Sequence, residues 1–397
     1  MTAARNAFKF VFALLFLLLL QHSVIHRETV YYISEEYSTI DDSEPLRKKE
    51  FRNPKSDSDP VDVATYSQPQ VISSITPESD VLFPYPNITH LPHDILNSPW
   101  ATEMKAKLEA AKIGKQLTYV TVSMNYFSVL INWLIYAKSN AMPLLENLLV
   151  VCMDKPSHDI LSQKGILSQL VRINDIIYSI KDMDGSGIFS ARVITRLTIL
   201  RLLNYWGYDV LIMDIDALLI NNIQPIFDHL HDSDIIVSTA NATNCLPSAA
   251  RKAWSFCLCI GLLLIRGNAN TERMWQELGS TPVELAASDQ TRFSSILITS
   301  NITWTPFDYD TNYYLKGKSQ NKDITVIALP QEVVCRNQCN ATRLSSYYAY
   351  HPMTTHHVDV KHDVMTAQKV WRVSNRWNLT RKTVQSTMDW LNEVTAG

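Results

Sequence analysis

The chain has 397 residues, 46% of them hydrophobic and 19% charged, which supplies a sizeable core for one large domain or two smaller ones and excludes an intrinsically disordered protein. A formal net charge of -3 gives no basic footprint, so no nucleic-acid partner is expected. With 10 glycines and neither a GxGxxG nor a GxxxxGKS/T match, glycine-rich phosphate loops are excluded as well.

In chain order, the first element is an apolar run from Phe10 to Leu20 behind Arg5 and Lys9. Residues 1–25 read as a cytosolic tail and signal-anchor, because no small-residue cleavage site follows the run. The positive flank keeps the N-terminal end in the cytosol and sends the rest of the chain into a lumen. So short a span suits the thinner membranes of the Golgi or endoplasmic reticulum. The expectation is therefore a single-pass type II protein, held in the membrane by this anchor. The sequons Asn87-Ile88-Thr89, Asn241-Ala242-Thr243, Asn301-Ile302-Thr303, Asn340-Ala341-Thr342 and Asn378-Leu379-Thr380 agree with a lumenal, glycosylated body.

Residues 26–115 read as a stem, largely extended or disordered. Asp41 to Asp62 is crowded with charge, serine and proline, and further prolines follow up to Pro99. Near its end, Trp100 to Ile113 has the composition of a helix. Residues 116–397 then read as one α/β domain. Strands are expected at Leu117–Val122, Asn147–Met153, Ile176–Ile180, Val210–Met213, Ile235–Ser238 and Cys259–Ile265. Helices are expected at Phe127–Ala137 and Phe189–Trp206, the second carrying Val193, Leu197, Leu200 and Leu203 as its apolar stripe and stopped by Gly207. Alternating strands and helices imply a mostly parallel sheet covered on both faces, with ligands bound beyond the carboxyl ends of the strands.

Asp214-Ile215-Asp216 falls at such an end, directly after the apolar strand. Two carboxylates delivered by a buried strand are costly unless something positive meets them. In an extended chain, side chains two apart face the same way, so both reach one ion. Oxygen ligands favour Mg2+, Mn2+ or Ca2+ over zinc. The same spacing recurs at Asp57/Asp59, Asp182/Asp184, Asp232/Asp234 and Asp308/Asp310, but none of those follows a buried strand. Two other readings stay open: a capping acidic pair, and the nucleophile motif of haloacid-dehalogenase phosphatases. The cysteines are Cys152, Cys245, Cys257, Cys259, Cys335 and Cys339. Cys335 and Cys339 are close enough to pair, Cys245 has Cys257 or Cys259 as a partner, and Cys152 reads as a buried free thiol.

Four stretches carry a resemblance to a known family. They are Tyr119 to Asn125 with Asn132-Trp133-Leu134, then Gly207 to Asp216, then Ser288-Asp289-Gln290, and finally His351 to Trp371. In order and spacing, residues 117 to about 372 resemble the nucleotide-diphospho-sugar transferase domain of glycosyltransferase family 77, which includes plant xylosyl- and arabinosyltransferases. The resemblance implies a GT-A-like (Rossmann-like) fold, a nucleotide-sugar donor, UDP-linked, a glycan or glycoprotein acceptor, an Mn2+ (or Mg2+) cofactor and transfer with retention of configuration. A non-catalytic carbohydrate-binding relative on the same fold is the alternative. Carried over residue by residue, Asp214 and Asp216 hold the metal, with Asp214 also reaching the ribose. Thr121, Ser123 and Asn125 hold the base and ribose, and Arg196 sits near the donor. Asp289 accepts from sugar hydroxyls and Gln290 stands near the anomeric carbon. His351 is the third metal ligand and Lys361 touches the departing phosphates. His356, His357 and His362 are further imidazoles in the same segment. The chain departs from the family at His357, where a glycine is usual, and at Pro352, where a polar residue is usual.

Overall fold

The computed structural model describes residues 93–172, 187–240, 248–278, 288–309, 312–320, 323–336, 339, 341–352, 358–373 and 387–395. The expected anchor, most of the stem, and the strand at Ile176–Ile180 lie outside these residues. Among the described residues, no helix is long and apolar enough to cross a membrane.

The strands are β1 (Gln116–Val122), β2 (Leu148–Cys152), β3 (Ser168–Leu170), β4 (Asp209–Met213), β5 (Leu218–Leu219), β6 (Ile235–Ala240), β7 (Cys257–Ile265), β8 (Ile302–Tyr309), β9 (Asn312–Ser319), β10 (Thr325–Leu329), β11 (Val334–Cys335) and β12 (Ala349–Tyr350). The main sheet has the order β3-β2-β1-β4-β7-β6-β10-β9-β8. β3, β2, β1 and β4 are mutually parallel, as are β6 and β10. β7 runs antiparallel between β4 and β6, and β9 runs antiparallel between β10 and β8. Strand direction is thus mostly parallel, with β7 and β9 reversed. The β8–β9 hairpin and β3 have no counterpart in the sequence reading. A second sheet, β11-β12-β5, stands beside the first.

The apolar strands alternate between two cores, one on each face of the sheet. Val120 and Val122 join the core under helix Phe127–Asn140, while Leu117 and Tyr119 join the core under helix Gly187–Tyr205. In β4, Leu211 and Met213 face the first core and Val210 and Ile212 the second. This period of two lets a nearly continuous apolar strand serve a sheet buried on both sides. Leu197, Leu200 and Leu203 lie in the second core, as the stripe required, and the helix stops at Gly207, whose φ of +88° is a left-handed value that suits glycine.

Helix Pro99–Ala110 changes the expected boundary between stem and domain. Its N-cap Ser98 side chain accepts from the Ala101 N–H, and Trp100, Met104 and Leu108 are buried in the second core. The packed body therefore begins before residue 116, because a helix that buries a tryptophan belongs to the core it covers.

β7 carries an irregularity that matters for the site. Val237 pairs with Leu263, yet its neighbour Ser238 pairs with Cys259. The bulge reverses the alternation along β7: Leu258 and Ile260 face the second core, and after the bulge Leu263 and Ile265 do so. β-Bulges re-aim side chains in this way.

Trp133 is fully buried in the first core. Trp133→Ala is expected to cost about 3–5 kcal/mol, read as a lower urea midpoint, and Trp133→Phe clearly less. A midpoint for Trp133→Ala equal to that of the parent chain would contradict this packing.

Candidate active site

Beyond Met213 the chain turns at once, with the Ala217 N–H donating to the Asp214 carbonyl at 2.9 Å. Asp214 and Asp216 therefore stand in a turn, which corrects the extended geometry assumed from sequence. Their carboxylates still converge, on His351. His351 Nε2 lies 3.4 Å from Asp214 Oδ2 and 3.4 Å from Asp216 Oδ1. One ligand atom from each of the three residues lies within 4.8 Å of the others. His351 is 3% exposed and Asp216 4%, while the Asp214 side chain is 30% exposed, so the cluster is buried on one side and open to solvent on the other.

The small sheet positions it. β5 follows Asp216 almost directly, and His351 follows β12. Tyr350 of β12 pairs with Leu218 of β5, and the His351 N–H donates to the Cys335 carbonyl of β11 at 2.8 Å. A short sheet with no obvious periodicity thus brings residues 135 and more positions apart into contact.

Two cationic side chains pair with the carboxylates, and a third meets the histidine. Arg196, on helix Gly187–Tyr205, places Nη2 2.6 Å from Asp214 Oδ1 and Nη1 2.7 Å from Asp289 Oδ2. Lys361, on helix Val358–Ala367, forms an ion pair with Asp216. Arg336, just past β11, contacts both the His351 imidazole and the Cys259 sulfur. Burial raises the Asp214 and Asp216 carboxyls, but Arg196 with His351 holds Asp214 below the usual carboxylate range, and His351 with Lys361 does the same for Asp216. For Asp289, burial wins over the pull of Arg196 and its pKa is raised. Burial and Arg336 both oppose charge on His351, yet Cys259 and Asp216 outweigh them and push it up to about 9.

Asp289 opens helix Asp289–Thr299, whose N-cap Ser288 accepts from the Thr291 N–H at 3.1 Å. The Gln290 N–H donates to Asp289 Oδ1 at 2.9 Å. The helix start and the ion pair with Arg196 coexist: the cap fixes the first turn, and the first turn aims the carboxylate. Thr121, Ser123 and Asn125 share the sheet edge with this cluster. Val120 pairs with Met213, so Asp214 leaves the sheet beside Thr121, which stays paired with Val151 of β2. The turn after β1 is pinned by Asp154, which accepts from the Met124 N–H at 2.6 Å and the Ser157 N–H at 2.9 Å. Thr121 and Ser123 are partly buried and Asn125 is exposed. Their position at this edge, rather than a contact with the cluster, is what the structure gives them.

Of the other histidines, His362 packs edge-on against Trp371 with ring centroids 4.6 Å apart and pairs with Asp363, which takes it away from the carboxylates. His356 and His357 lie outside the described residues. Asp234, from one of the other pairs with the same spacing, is buried and accepts from the Asn268 side chain and the Thr325 N–H, both at 2.8 Å, a structural role.

Two carboxylates and an imidazole form a donor set that suits Mn2+ or Mg2+. The space fits too. Asp214 N–H donates to the Gly261 carbonyl at 2.9 Å, and a Cβ on Gly261 would come 2.1 Å from His351 Cε1 and 2.8 Å from Asp214 Oδ2. Only glycine lets β7 approach this closely. Gly261, Cys259 and Arg336 were not singled out from sequence. A lone glycine inside an otherwise apolar strand was the available signal for the first, since it marks a bulge or a close approach. Arg336 follows a buried strand next to a cysteine, which is too common a pattern to stand out.

Cys335 and Cys339 form a disulfide, Cys257 is disulfide-bonded, and Cys152 and Cys259 are free and buried. This leaves Cys259 out of the pairing considered for it.

Comparison with known proteins adds the following. No curated protein matches the chain at a significant level. Solved structures with partial similarity include the galactosyltransferase LgtC with donor and acceptor sugar analogs, at 12% identity and a TM-score of 0.39 over 65% of this chain and 97% of that one. Mouse xyloside xylosyltransferase 1 shows 11% identity and a TM-score of 0.35 over 59% of this chain and 97% of that one. The glycosyltransferase GlyE of Streptococcus pneumoniae shows 14% identity and a TM-score of 0.28 over 45% and 42%. The model of the nucleotide-diphospho-sugar transferase family matches residues 143–372, more than half of the chain, and Arg196, Asp214, Asp216, Asp289, Gln290, His351 and Lys361 all fall inside that span. The chain therefore belongs to the nucleotide-diphospho-sugar transferase family.

Proposed function

We propose that this chain transfers a glycosyl group from a UDP-sugar to an acceptor hydroxyl on a glycan or glycoprotein, in a metal-dependent reaction that retains anomeric configuration. The observation that carries the reading is the convergence of Asp214, Asp216 and His351 on one buried point, beside Lys361 and one salt link from Asp289. Asp214, Asp216 and His351 would hold Mn2+ or Mg2+. When bound, the metal supplies a Lewis acid that takes up charge on the diphosphate as it leaves. Lys361 is a cation held at the same carboxylate, placed to pair with the phosphates. Arg196 holds Asp214 and Asp289 at a fixed separation, so the metal end and the sugar end of the site are set by one side chain.

Asp289, part-buried and aimed by its helix, suits accepting hydrogen bonds from sugar hydroxyls. Gln290 is an amide and a poor nucleophile, which favours front-face substitution through an oxocarbenium-like state over a covalent intermediate on that residue. Catalysis would then consist mainly of positioning and charge stabilisation. The nucleotide base belongs at the end of β1, where Asp154 pins the turn carrying Ser123 and Asn125. A lumenal setting on a Golgi or endoplasmic reticulum membrane is part of the same proposal. It is supported by the Cys335–Cys339 disulfide, by the sequons, of which Asn301 is exposed, and by the apolar run at Phe10–Leu20.

Incubation of the chain with a panel of nucleotide sugars, with and without Mn2+, tests the activity through nucleotide release. Metal-dependent turnover of a UDP-sugar is expected, and Asp216→Asn should lower it by about 100-fold or more. Full activity in that variant would remove the metal role of Asp216.

Arg196→Ala removes the cation shared by two part-buried carboxylates, of which Asp214 keeps His351, and is expected to destabilise the fold by about 3 kcal/mol. Arg196→Lys, which can reach only one of them well, should fall between. Thermal melts of both variants measure this, and an unchanged midpoint for Arg196→Ala would contradict the bridging role.

The imidazole of His351 also sets a pH dependence. Its folded pKa is raised from 6.5 to about 9, so its contribution to the metal-free fold is complete below about 6.5 and is lost as pH rises to about 9. Metal must displace that proton, so Mg2+ binding should tighten across the same window. The rise in melting midpoint on adding Mg2+ is expected to grow from pH 6.5 to 9, and a pH-independent rise would count against His351 as a ligand.

A further inference from the structure

We propose that Asn132 is a positioning residue for Lys361: its buried carboxamide clamps the segment after helix Val358–Ala367, so that this helix turns Lys361 toward the diphosphate of the donor. The proposal rests on the reading of Lys361 as a phosphate contact given above.

Asn132 lies in the middle of helix Phe127–Asn140, fully buried, with Ile131, Trp133 and Leu134 beside it in the first core. A carboxamide in such surroundings costs free energy unless its groups are paired. Both ends of this one are. Oδ1 accepts from the Arg372 N–H at 2.8 Å, and Nδ2 donates to the Val370 carbonyl at 3.1 Å. One donor and one acceptor thus meet two residues of the same segment, as the backbone of a neighbouring strand would. Nδ2 also lies 3.7 Å from the Met365 sulfur.

These partners bracket the C-terminal end of helix Val358–Ala367. The chain reverses there: Lys369 has a φ of +58°, and the Val370 N–H donates back to the Met365 carbonyl at 2.8 Å. Between the two clamped residues, Trp371 packs edge-on against His362, and the Arg372 guanidinium lies 4.5 Å from the ring centroid of Tyr136, on the same helix as Asn132. Anchors at Met365, Val370 and Arg372 fix both the place of the helix end and its rotation about its own axis.

Rotation is what matters for Lys361. It precedes Met365 by four residues, so the two share one face of the helix. Met365 is fully buried in the first core, and Lys361, one turn earlier, reaches Asp216. A turn of the helix that freed Met365 from Asn132 would carry Lys361 off the site. The lysine stem is flexible and has no fixed fork, so its ammonium meets a phosphate reliably only when the backbone beneath it is held.

The test uses the full chain with saturating Mn2+ and UDP as the probe. In calorimetric titrations, Lys361→Ala is expected to weaken UDP binding about 10-fold. Asn132→Ala should weaken it by a similar factor, at a temperature where its melt shows it folded. The double variant should bind within about twofold of Lys361→Ala alone, because both changes remove the same contact. A purely structural Asn132 would lower the melting midpoint and leave UDP affinity unchanged. Parent-like affinity in Asn132→Ala, or losses that multiply in the double variant, would overturn the role of Asn132 and leave Lys361 as a phosphate contact. Parent-like affinity in Lys361→Ala would overturn that reading and the proposal with it. A second measurement leaves the core intact. Coupling between sites is reciprocal, so saturating UDP should slow hydrogen exchange of the Arg372 amide in the parent chain and not in Lys361→Ala. Equal exchange changes in the two chains would overturn the proposal.

Discussion

The structure depends on how it keeps carboxylates charged where water is scarce. β4 drives Asp214 and Asp216 to the edge of a sheet whose two faces are covered, and Asp289 arrives from a helix on one of those faces. Isolated, each would carry a large desolvation cost. Arg196, Lys361 and His351 offset it, and each comes from a different element. Removing one side of such a buried pair costs more than the pair ever contributes, so the elements are bound to one another through charge as well as through apolar packing.

This constraint explains features that have no other evident use. The reversed β7 brings its N-terminal half, rather than a loop, to the carboxyl end of β4. Its bulge then sets Cys259 and Gly261 against His351. The two-residue strands β5, β11 and β12 add to the first core, and they also tie the turn after Asp216 to His351 and to Arg336. A metal ion bound at Asp214, Asp216 and His351 would meet a preformed set of ligands, with Arg196 and Lys361 already holding the carboxylates in place. Preorganisation of this kind is where binding and charge stabilisation gain most.

Much of this was legible in the sequence, and the reason is periodicity. The alternation of β1 and β4, the apolar stripe at Leu197, Leu200 and Leu203, and the glycine at 207 each follow from local chain geometry. The carboxylate pair could be separated from its four look-alikes because only it followed a buried strand. Asp289, Gln290, His351 and Lys361 came from the resemblance of spaced motifs, since nothing local distinguishes a helix-starting aspartate from one that meets an arginine 93 positions away. Less was legible where the partner is remote. Helix Pro99–Ala110 looked like the end of a stem because its neighbours are rich in proline and charge, yet Trp100 and Met104 have a core to bury in. The direction of β7 could not be read from an apolar run, which looks the same in either sense. Arg336 and Cys259 acquire meaning only through a contact made across strands.

The central claim is that Asp214, Asp216 and His351 share one divalent metal that carries a nucleotide diphosphate. Anomalous scattering from crystals grown with Mn2+ and UDP tests it most directly. The account predicts a single strong manganese peak within coordination distance of all three side chains, with the diphosphate on its open side toward Lys361. A peak elsewhere, or UDP bound at this sheet edge with no manganese between the carboxylates and His351, would contradict it.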